Sequence, residues 1–270
     1  MMKTLYVSDL DGTLLNSNES TSDYTNQVIN ELVDKGMLFS YATARSYSTS
    51  HKVTQGLNAK IPLIVYNGTF VRDNQTGDIL LANYFSDEVK KVIDDLLLHG
   101  IYPIVYSFID GIERFSFIED KCTEGMTRFI NSRKGDSRHR SIAYEKQLYE
   151  GNIFYLTCID DEDRLQPFYE KYKEQYHCIF QKDIYTHDQW LEILPQGISK
   201  AHAIEQLKEY LKCDKVIVFG DSDNDYEMFE MADEAYAVEN AAQKIKDMAT
   251  GIIKSNNEDG VAKWLKENYK

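Results

Sequence analysis

The chain has 270 residues, enough for one large domain or two smaller ones, and its 43% hydrophobic content is ordinary for a globular protein and argues against disorder. No apolar stretch approaches the roughly 18 residues of a membrane span. A formal net charge of -14 argues against a nucleic-acid partner, because such a surface repels a phosphate backbone. The same charge repels a small anionic substrate, so a phosphate site here needs local positive charge from a metal, a lysine or helix N-termini.

The N-terminal run Met1-Met2-Lys3-Thr4-Leu5 leads straight into strand-like sequence, without signal-peptide organisation. Leu5 to Ser8 predicts a strand. Tyr24 to Lys35 predicts a helix with Val28, Ile29, Leu32 and Val33 on one face, capped by Ser22 or Thr21 and ended by Gly36. Met37 to Ala42 and Pro62 to Tyr66 predict two more strands, the second ending at Asn67-Gly68. Strand, helix and strand at this spacing predict a parallel α/β sheet.

From about residue 84 to 188 the pattern changes. Strand-like Tyr102 to Tyr106 and Ile153 to Leu156 sit between helical stretches at Asp87 to His99 and Asp163 to Gln175, and the polar tract Asn131 to Arg140 predicts a loop or helix end. These residues are expected to form an inserted α/β domain, with 1–83 and 189–270 as the two halves of the outer domain. Tyr102, Tyr106 and Tyr155 fit a core better than a substrate platform. The basic group Arg133, Lys134, Arg138, His139 and Arg140 is expected to be a solvated loop, with contact to an anionic substrate as the alternative. His187 lies near the return to the outer domain and suggests no role.

The outer pattern then resumes. Leu191 to Leu194 is strand-like, and Ser199 to Lys212 predicts a helix with Ala203, Ile204, Leu207 and Leu211 on one face. Lys215 to Phe219 predicts a buried strand ending at Gly220-Asp221. A helix at Tyr226 to Met231, a strand at Ala235 to Val238, a helix over Ala241 to Ala249 and the pair Ile252-Ile253 complete the chain. The cysteines Cys122, Cys158, Cys178 and Cys213 show no metal spacing; they read as free thiols in a reducing, cytoplasmic setting.

Four short elements follow strands or open helices, where parallel sheets bind ligands. Asp9-Leu10-Asp11-Gly12-Thr13 places two carboxylates at a strand end. Asp9 can attack phosphorus and Asp11 can carry protons to the leaving oxygen and from water, although an Asp-x-Asp-Gly turn is also a common solvated turn. In Ala42-Thr43-Ala44-Arg45, the Thr43 hydroxyl and an Ala44 amide opening the next helix can hold phosphate oxygens; alternatively, Thr43 bonds only its own backbone. Lys200 stands at a helix N-terminus, a poor place for a cation with respect to the helix dipole but a good one for a phosphate counter-charge. An ordinary surface lysine is the alternative. Asp221-Ser222-Asp223-Asn224-Asp225 gathers carboxylates that repel and so need a cation. Hard oxygen ligands suit Mg2+. An EF-hand loop is excluded, because the positions that need glycine and glutamate hold Tyr226 and Ala232.

Together these elements resemble the haloacid dehalogenase superfamily of aspartyl-phosphate phosphatases, and most closely its Cof-type branch with a large α/β cap (class IIB). The family pattern D-x-D-G-T is similar to Asp9 to Thr13, A-T-G-R to Ala42 to Arg45, G-V-S-K to Gly197 to Lys200, and G-D-x-x-N-D to Gly220 to Asp225. Asn67-Gly68, Asn240-Ala241 and Glu258-Asp259-Gly260-Val261-Ala262 also look like this branch. The resemblance covers the outer domain; over the insert it is only architectural. It implies a Rossmann-like parallel sheet core with an inserted cap. It implies Asp9 as nucleophile and Mg2+ ligand, Asp11 as acid/base with its carbonyl on Mg2+, and Asp221 as the third protein ligand. It further implies backbone amides of Leu10 and Ala44 on the phosphate beside Thr43 and Lys200. Asn224 and Asp225 would support the phosphate and metal shell, and Arg45 and Asn67 are supporting residues. Ala44 stands where the branch usually has glycine and fits if its backbone is helical.

The expected function is hydrolysis of a small phosphorylated metabolite, a sugar phosphate or related phosphomonoester, through an aspartyl-phosphate, with Mg2+ as cofactor and the insert choosing the substrate. A phosphomutase would pass the phosphoryl group to a sugar hydroxyl instead. A dehalogenase would leave Asp11 with no alcohol to protonate. A phospho-switch would keep its phosphate, and Asp11 and the insert argue against that. No membrane or nucleic-acid partner is expected, and the chain is expected to be a monomer or a weak homodimer.

Overall fold

The computed structural model describes residues 2–183 and 186–269. Met1 of the N-terminal run and residues 184 and 185 of the predicted insert lie outside these. The chain divides into two compact units, Met1–Ala82 with Ile198–Lys270, and Asn83–Gly197. In chain order the first unit opens with β1 (Thr4–Asp9), α1 (Asp23–Asp34), β2 (Leu38–Ala42), α2 (Tyr47–Val53), β3 (Pro62–Val65), β4 (Phe70–Asp73) and β5 (Ile79–Ala82). The second unit runs α3 (Val89–Leu98), β6 (Ile104–Ile109), β7 (Ile112–Ile118), α4 (Glu124–Ser132), β8 (His139–Ile142), β9 (Asn152–Asp160), α5 (Glu162–Tyr172), β10 (His177–Lys182) and β11 (Gln189–Leu194). The chain returns to the first unit with α6 (Lys200–Leu211), β12 (Lys215–Gly220), α7 (Tyr226–Met231), β13 (Glu234–Val238), α8 (Gln243–Met248), β14 (Gly251–Ile253) and α9 (Gly260–Asn268).

The first unit holds an eight-stranded sheet in the order β14-β13-β12-β1-β2-β3-β4-β5. Its first six strands are parallel, as the sequence pattern predicts. The last two each pair antiparallel with the strand before them, β4 following β3 through a single 3-10 turn at Tyr66–Gly68. The central strands are apolar on both faces: Leu5, Tyr6 and Val7, Ile64 and Val65, and Val216, Ile217 and Val218 are all buried. That is the mark of a parallel sheet covered on both sides. Each such aliphatic side chain contributes about 1.5–3 kcal/mol when fully buried. Among the helices, α1 packs with α9 and α6 with α7. The helix starts are set locally. Ser22 accepts a bond from the Thr25 amide at 3.0 Å and opens α1, which ends before Gly36. No described helix is long and apolar enough to cross a membrane.

The second unit holds a six-stranded sheet in the order β10-β11-β9-β6-β7-β8. Its core gathers Val92, Ile93 and Leu96 of α3 with Leu165 and Phe168 of α5 and, from the sheet, Val105, Leu156, Cys158, Leu191 and Ile193. Two sequence expectations change here. The strand-like Leu191 to Leu194 pairs antiparallel with both β9 and β10. The return to the first unit therefore falls at Ile198 and not at residue 189, because a strand with one apolar face completes the nearest sheet whose core it can join. The polar tract also ends differently. Arg138 is buried between Asp136 and Glu113, with Nη1 2.8 Å from Glu113, and His139 begins β8. The basic group is partly a neutralised strand edge and not a solvated loop.

Candidate active site

The sheet order places the carboxyl ends of β3, β2, β1 and β12 side by side. The register sets Asp9 opposite Ala42 and Ser8 opposite Phe219. Three sequence-distant segments, those around Asp9, Thr43 and Asp221, therefore meet at one edge. Lys200 reaches the same edge from α6. Gly68 makes this possible: at φ +101 it lies so close to the α6 N-cap that an added Cβ would stand 2.2 Å from the Ser199 carbonyl oxygen. Ser199 caps α6 through its hydroxyl, which accepts from the His202 amide at 3.3 Å.

Lys200 is only 3% exposed, so the surface-lysine alternative fails. Its Nζ donates to Asp9 Oδ1 at 2.6 Å and to Asp225 Oδ1 at 2.8 Å. Burial alone would lower the Lys200 ammonium, but the Asp225 and Asp9 carboxylates outweigh it and hold the group above its usual value. Those carboxylates also offset the unfavourable helix dipole at this position.

Carboxylate oxygens of Asp9, Asp221 and Asp225 lie within 4.8 Å of one another. Burial pushes the Asp9 carboxyl well above the usual carboxylate range, Lys200 pulls it back, and Asp225 and Asp221 push it further up. Burial likewise raises Asp221 to about 6, with Asp225 adding to the effect and the Thr13 hydroxyl, 2.9 Å away, opposing it. Three carboxylates face one ammonium, an uncompensated negative excess of the kind a hard cation relieves. The donor set separates their roles. Both oxygens of Asp225 are taken, one by Lys200 and the other by the amides of Asp221 and Ser222 at 2.9 and 3.2 Å. Among the described residues each of Asp9 and Asp221 has one side-chain donor, on Oδ1, which leaves its second oxygen for a metal. These residues fit a divalent cation, held by Asp9 and Asp221 with Asp225 behind them.

Asp11 is arranged differently. Its side chain is half exposed and turned to Arg45, whose Nε reaches Oδ2 at 2.9 Å and whose Nη2 reaches Oδ1 at 2.6 Å. The Thr43 hydroxyl is buried and accepts from the Arg45 amide at 3.1 Å, the local bond foreseen as its alternative role. Its own proton can still be donated elsewhere. Ala44 does not open a helix: α2 begins at Tyr47 behind the N-cap Ser46, and Ala44 lies in an exposed bend. Its φ is not positive, so alanine in place of glycine meets no backbone conflict. Leu10 is buried and its carbonyl accepts from Leu15. The buried Asn67 has φ 52, and its amide donates to the Thr43 carbonyl at 2.9 Å, tying β3 to β2 at the site. Asn224 is exposed; its side-chain Oδ1 accepts from the Ser222 hydroxyl at 2.7 Å.

Sequence reasoning missed the braces of this edge. Asn240 Nδ2 donates to the Gly12 carbonyl at 2.7 Å, and its Oδ1 accepts from the Asn256 amide at 3.0 Å. Asn256 Nδ2 holds the Leu15 carbonyl at 2.9 Å. The Ala242 amide donates to the Asp221 carbonyl at 2.8 Å. The one signal for these contacts was the Asn240-Ala241 pair noted in the family resemblance. Gly12 has φ +81, and a Cβ there would stand 2.4 Å from Asp221 Oδ2. Gly12→Ala should therefore lower stability by about 2–3 kcal/mol. Urea unfolding checks this, and an unchanged midpoint would contradict the packing described.

A profile for haloacid dehalogenase-like hydrolases matches residues 6–265. Two Bacillus subtilis (strain 168) proteins, each described as a 5-amino-6-(5-phospho-D-ribitylamino)uracil phosphatase, are similar over almost their full lengths. YitU is 28% identical, covering 98% of this chain and 97% of that protein. YwtE is 30% identical, covering 95% of both. Among solved structures, TM0651 from Thermotoga maritima shares 26% identity over 100% of this chain and 98% of that one, with a TM-score of 0.80.

Proposed function

We infer the reaction from the premise that this chain belongs to the haloacid dehalogenase-like hydrolase family and is a phosphatase. It hydrolyses phosphomonoesters of small metabolites, using Mg2+ and an aspartyl-phosphate intermediate. The observation that carries this reading is the meeting of Asp9, Asp221, Asp225 and Lys200 at one sheet edge. The substrate class is a phosphate on a sugar or sugar-alcohol chain, supported by two relatives whose names specify a phosphorylated ribityl compound. Four free cysteines support work in a reducing compartment such as the cytoplasm.

Asp9 would attack phosphorus while Asp11 gives its proton to the departing alcohol oxygen. Asp11 would then take a proton from the water that cleaves the aspartyl-phosphate. Lys200 would offset charge on the phosphoryl oxygens and hold Asp9 in line, and Thr43 and the amides of Leu10 and Ala44 would orient those oxygens. Asp9 and Asp221 would hold Mg2+, with the Asp11 carbonyl as a further ligand; when bound, the ion adds positive charge beside the transferring group.

The test is phosphate release from a panel of sugar, sugar-alcohol and nucleoside phosphates with added Mg2+. Chelation should remove activity by at least about 100-fold and Mg2+ should restore it. Mg2+ should also raise the Tm of the wild type and not that of Asp221→Asn, a readout independent of turnover. A metal-independent Tm and full activity after chelation would overturn the metal assignment.

A further inference from the structure

We propose that Glu19 is a positioning residue that sets, through Arg45, how readily Asp11 turns toward the substrate; this rests on the role proposed above for Asp11. Arg45 engages both oxygens of Asp11, through Nε at 2.9 Å and Nη2 at 2.6 Å. The same Nη2 also donates to Glu19 Oε2 at 3.0 Å. One guanidinium nitrogen thus serves two carboxylates, one on the loop after β1 and one ten positions away in sequence from Asp9.

The turn that carries Glu19 is braced. Glu19 has φ 52, a left-handed conformation that a non-glycine residue adopts only when its surroundings impose it. Its amide donates to the Asn16 carbonyl at 2.9 Å, the Asn16 amide donates to the Ser20 carbonyl at 3.0 Å, and Asn16 Oδ1 accepts from the Asn18 amide at 2.9 Å. The Ser17 amide donates to Asn257 Oδ1 at 2.9 Å, fastening the turn to the C-terminal segment. Glu19 is therefore presented to Arg45 by fixed backbone.

The consequence concerns proton delivery. A carboxyl gripped at both oxygens by a guanidinium cannot give a proton to a leaving oxygen, so Asp11 must leave Arg45 when it acts. In that step the P–O(ester) bond breaks, the Asp9 O–P bond forms, and the Asp11 proton passes to the ester oxygen. Arg45 then loses two acceptors but keeps Glu19. Glu19 thereby holds Arg45 in place, neutralises it in part and eases the release of Asp11.

The readout is dependence on the leaving group. A nitrophenolate leaves with little need of a proton, whereas a primary alkoxide needs one. With Mg2+ present, kcat and KM are measured for p-nitrophenyl phosphate and for the fastest primary alkyl phosphate of the panel. Glu19→Gln should lower kcat for the alkyl ester about tenfold, leave kcat for the aryl ester within about twofold, and change KM little for either. Glu19→Gly, which relaxes the backbone but also removes the carboxylate, should show the same split. An equal loss on both substrates, no loss on either, or a wild-type ratio in Glu19→Gly would overturn the proposal, the last by showing that residue 19 only shapes the turn. Wild-type failure to hydrolyse both esters would instead overturn the parent reading, and this inference with it.

Discussion

Asp9→Asn should abolish phosphate release, lowering kcat by at least about 10^4-fold on any phosphomonoester. The carboxamide cannot form the acyl phosphate. The neighbouring carboxylates are engaged elsewhere: Asp225 has both oxygens committed to Lys200 and to two backbone amides, and Asp221 has one oxygen on the Thr13 hydroxyl and the other left for the proposed cation. The variant should remain folded. Asn is close to isosteric with Asp, and in the wild type burial already disfavours the ionised form of Asp9. Removing that charge leaves Lys200 its Asp225 partner at 2.8 Å. Tm should therefore change by only a few degrees while turnover disappears. Activity within about tenfold of wild type in a folded Asp9→Asn protein would refute the nucleophile assignment.

Lys200→Met should damage both fold and function. It strips from two buried carboxylates, Asp9 and Asp225, their one side-chain ion-pair partner among the described residues. Removing one partner of a buried ion pair costs about 3–5 kcal/mol, mostly from the uncompensated charge left behind. The sign of the pH effect follows from linkage. A carboxyl whose folded-state value lies above its unfolded value stabilises the fold only while protonated, and that stability is lost as pH rises through the raised value. Asp9 is already raised well above the ordinary range and Asp221 to about 6. Without the ammonium both move further up. Metal-free Lys200→Met should thus approach wild-type stability near about pH 5 and lose it by about pH 8, a steeper decline than in the wild type. Equal slopes in chemical unfolding at the two pH values would contradict the electrostatic account of the cluster. Turnover should fall by about 10^3-fold or more, because the phosphoryl oxygens lose their fixed counter-charge.

Much of this site could be read from residue order. Asp9, Thr43 and Asp221 each stand directly after an apolar run, and parallel strands deliver such residues to one edge whatever the intervening length. Lys200 was legible for a related reason: a cation at a helix start conflicts with the dipole and needs an anionic partner. The alternatives attached to these residues could not be settled in the same way. Thr43 does bond its own chain, while Lys200 is no surface lysine at all.

The amino-acid sequence by itself determined the strand and helix alternation of the outer sheet, a cap for α1 at Ser22 or Thr21, and the chemical types gathered for phosphoryl transfer. These depend on periodicity and on contacts within a few residues, so they survive without knowledge of the fold. Only the tertiary structure decided which sheet claims Gln189–Leu194, that Asp11 rests on Arg45, which Glu19 also holds, and that Asn240 and Asn256 brace the loop around Gly12. Apart from the β10–β11 pairing, each of these is a contact between segments far apart in sequence, and its energy depends on the distance and burial that packing imposes. An exposed turn glutamate and a strand-end asparagine look alike in any soluble chain until the partner across the fold is known.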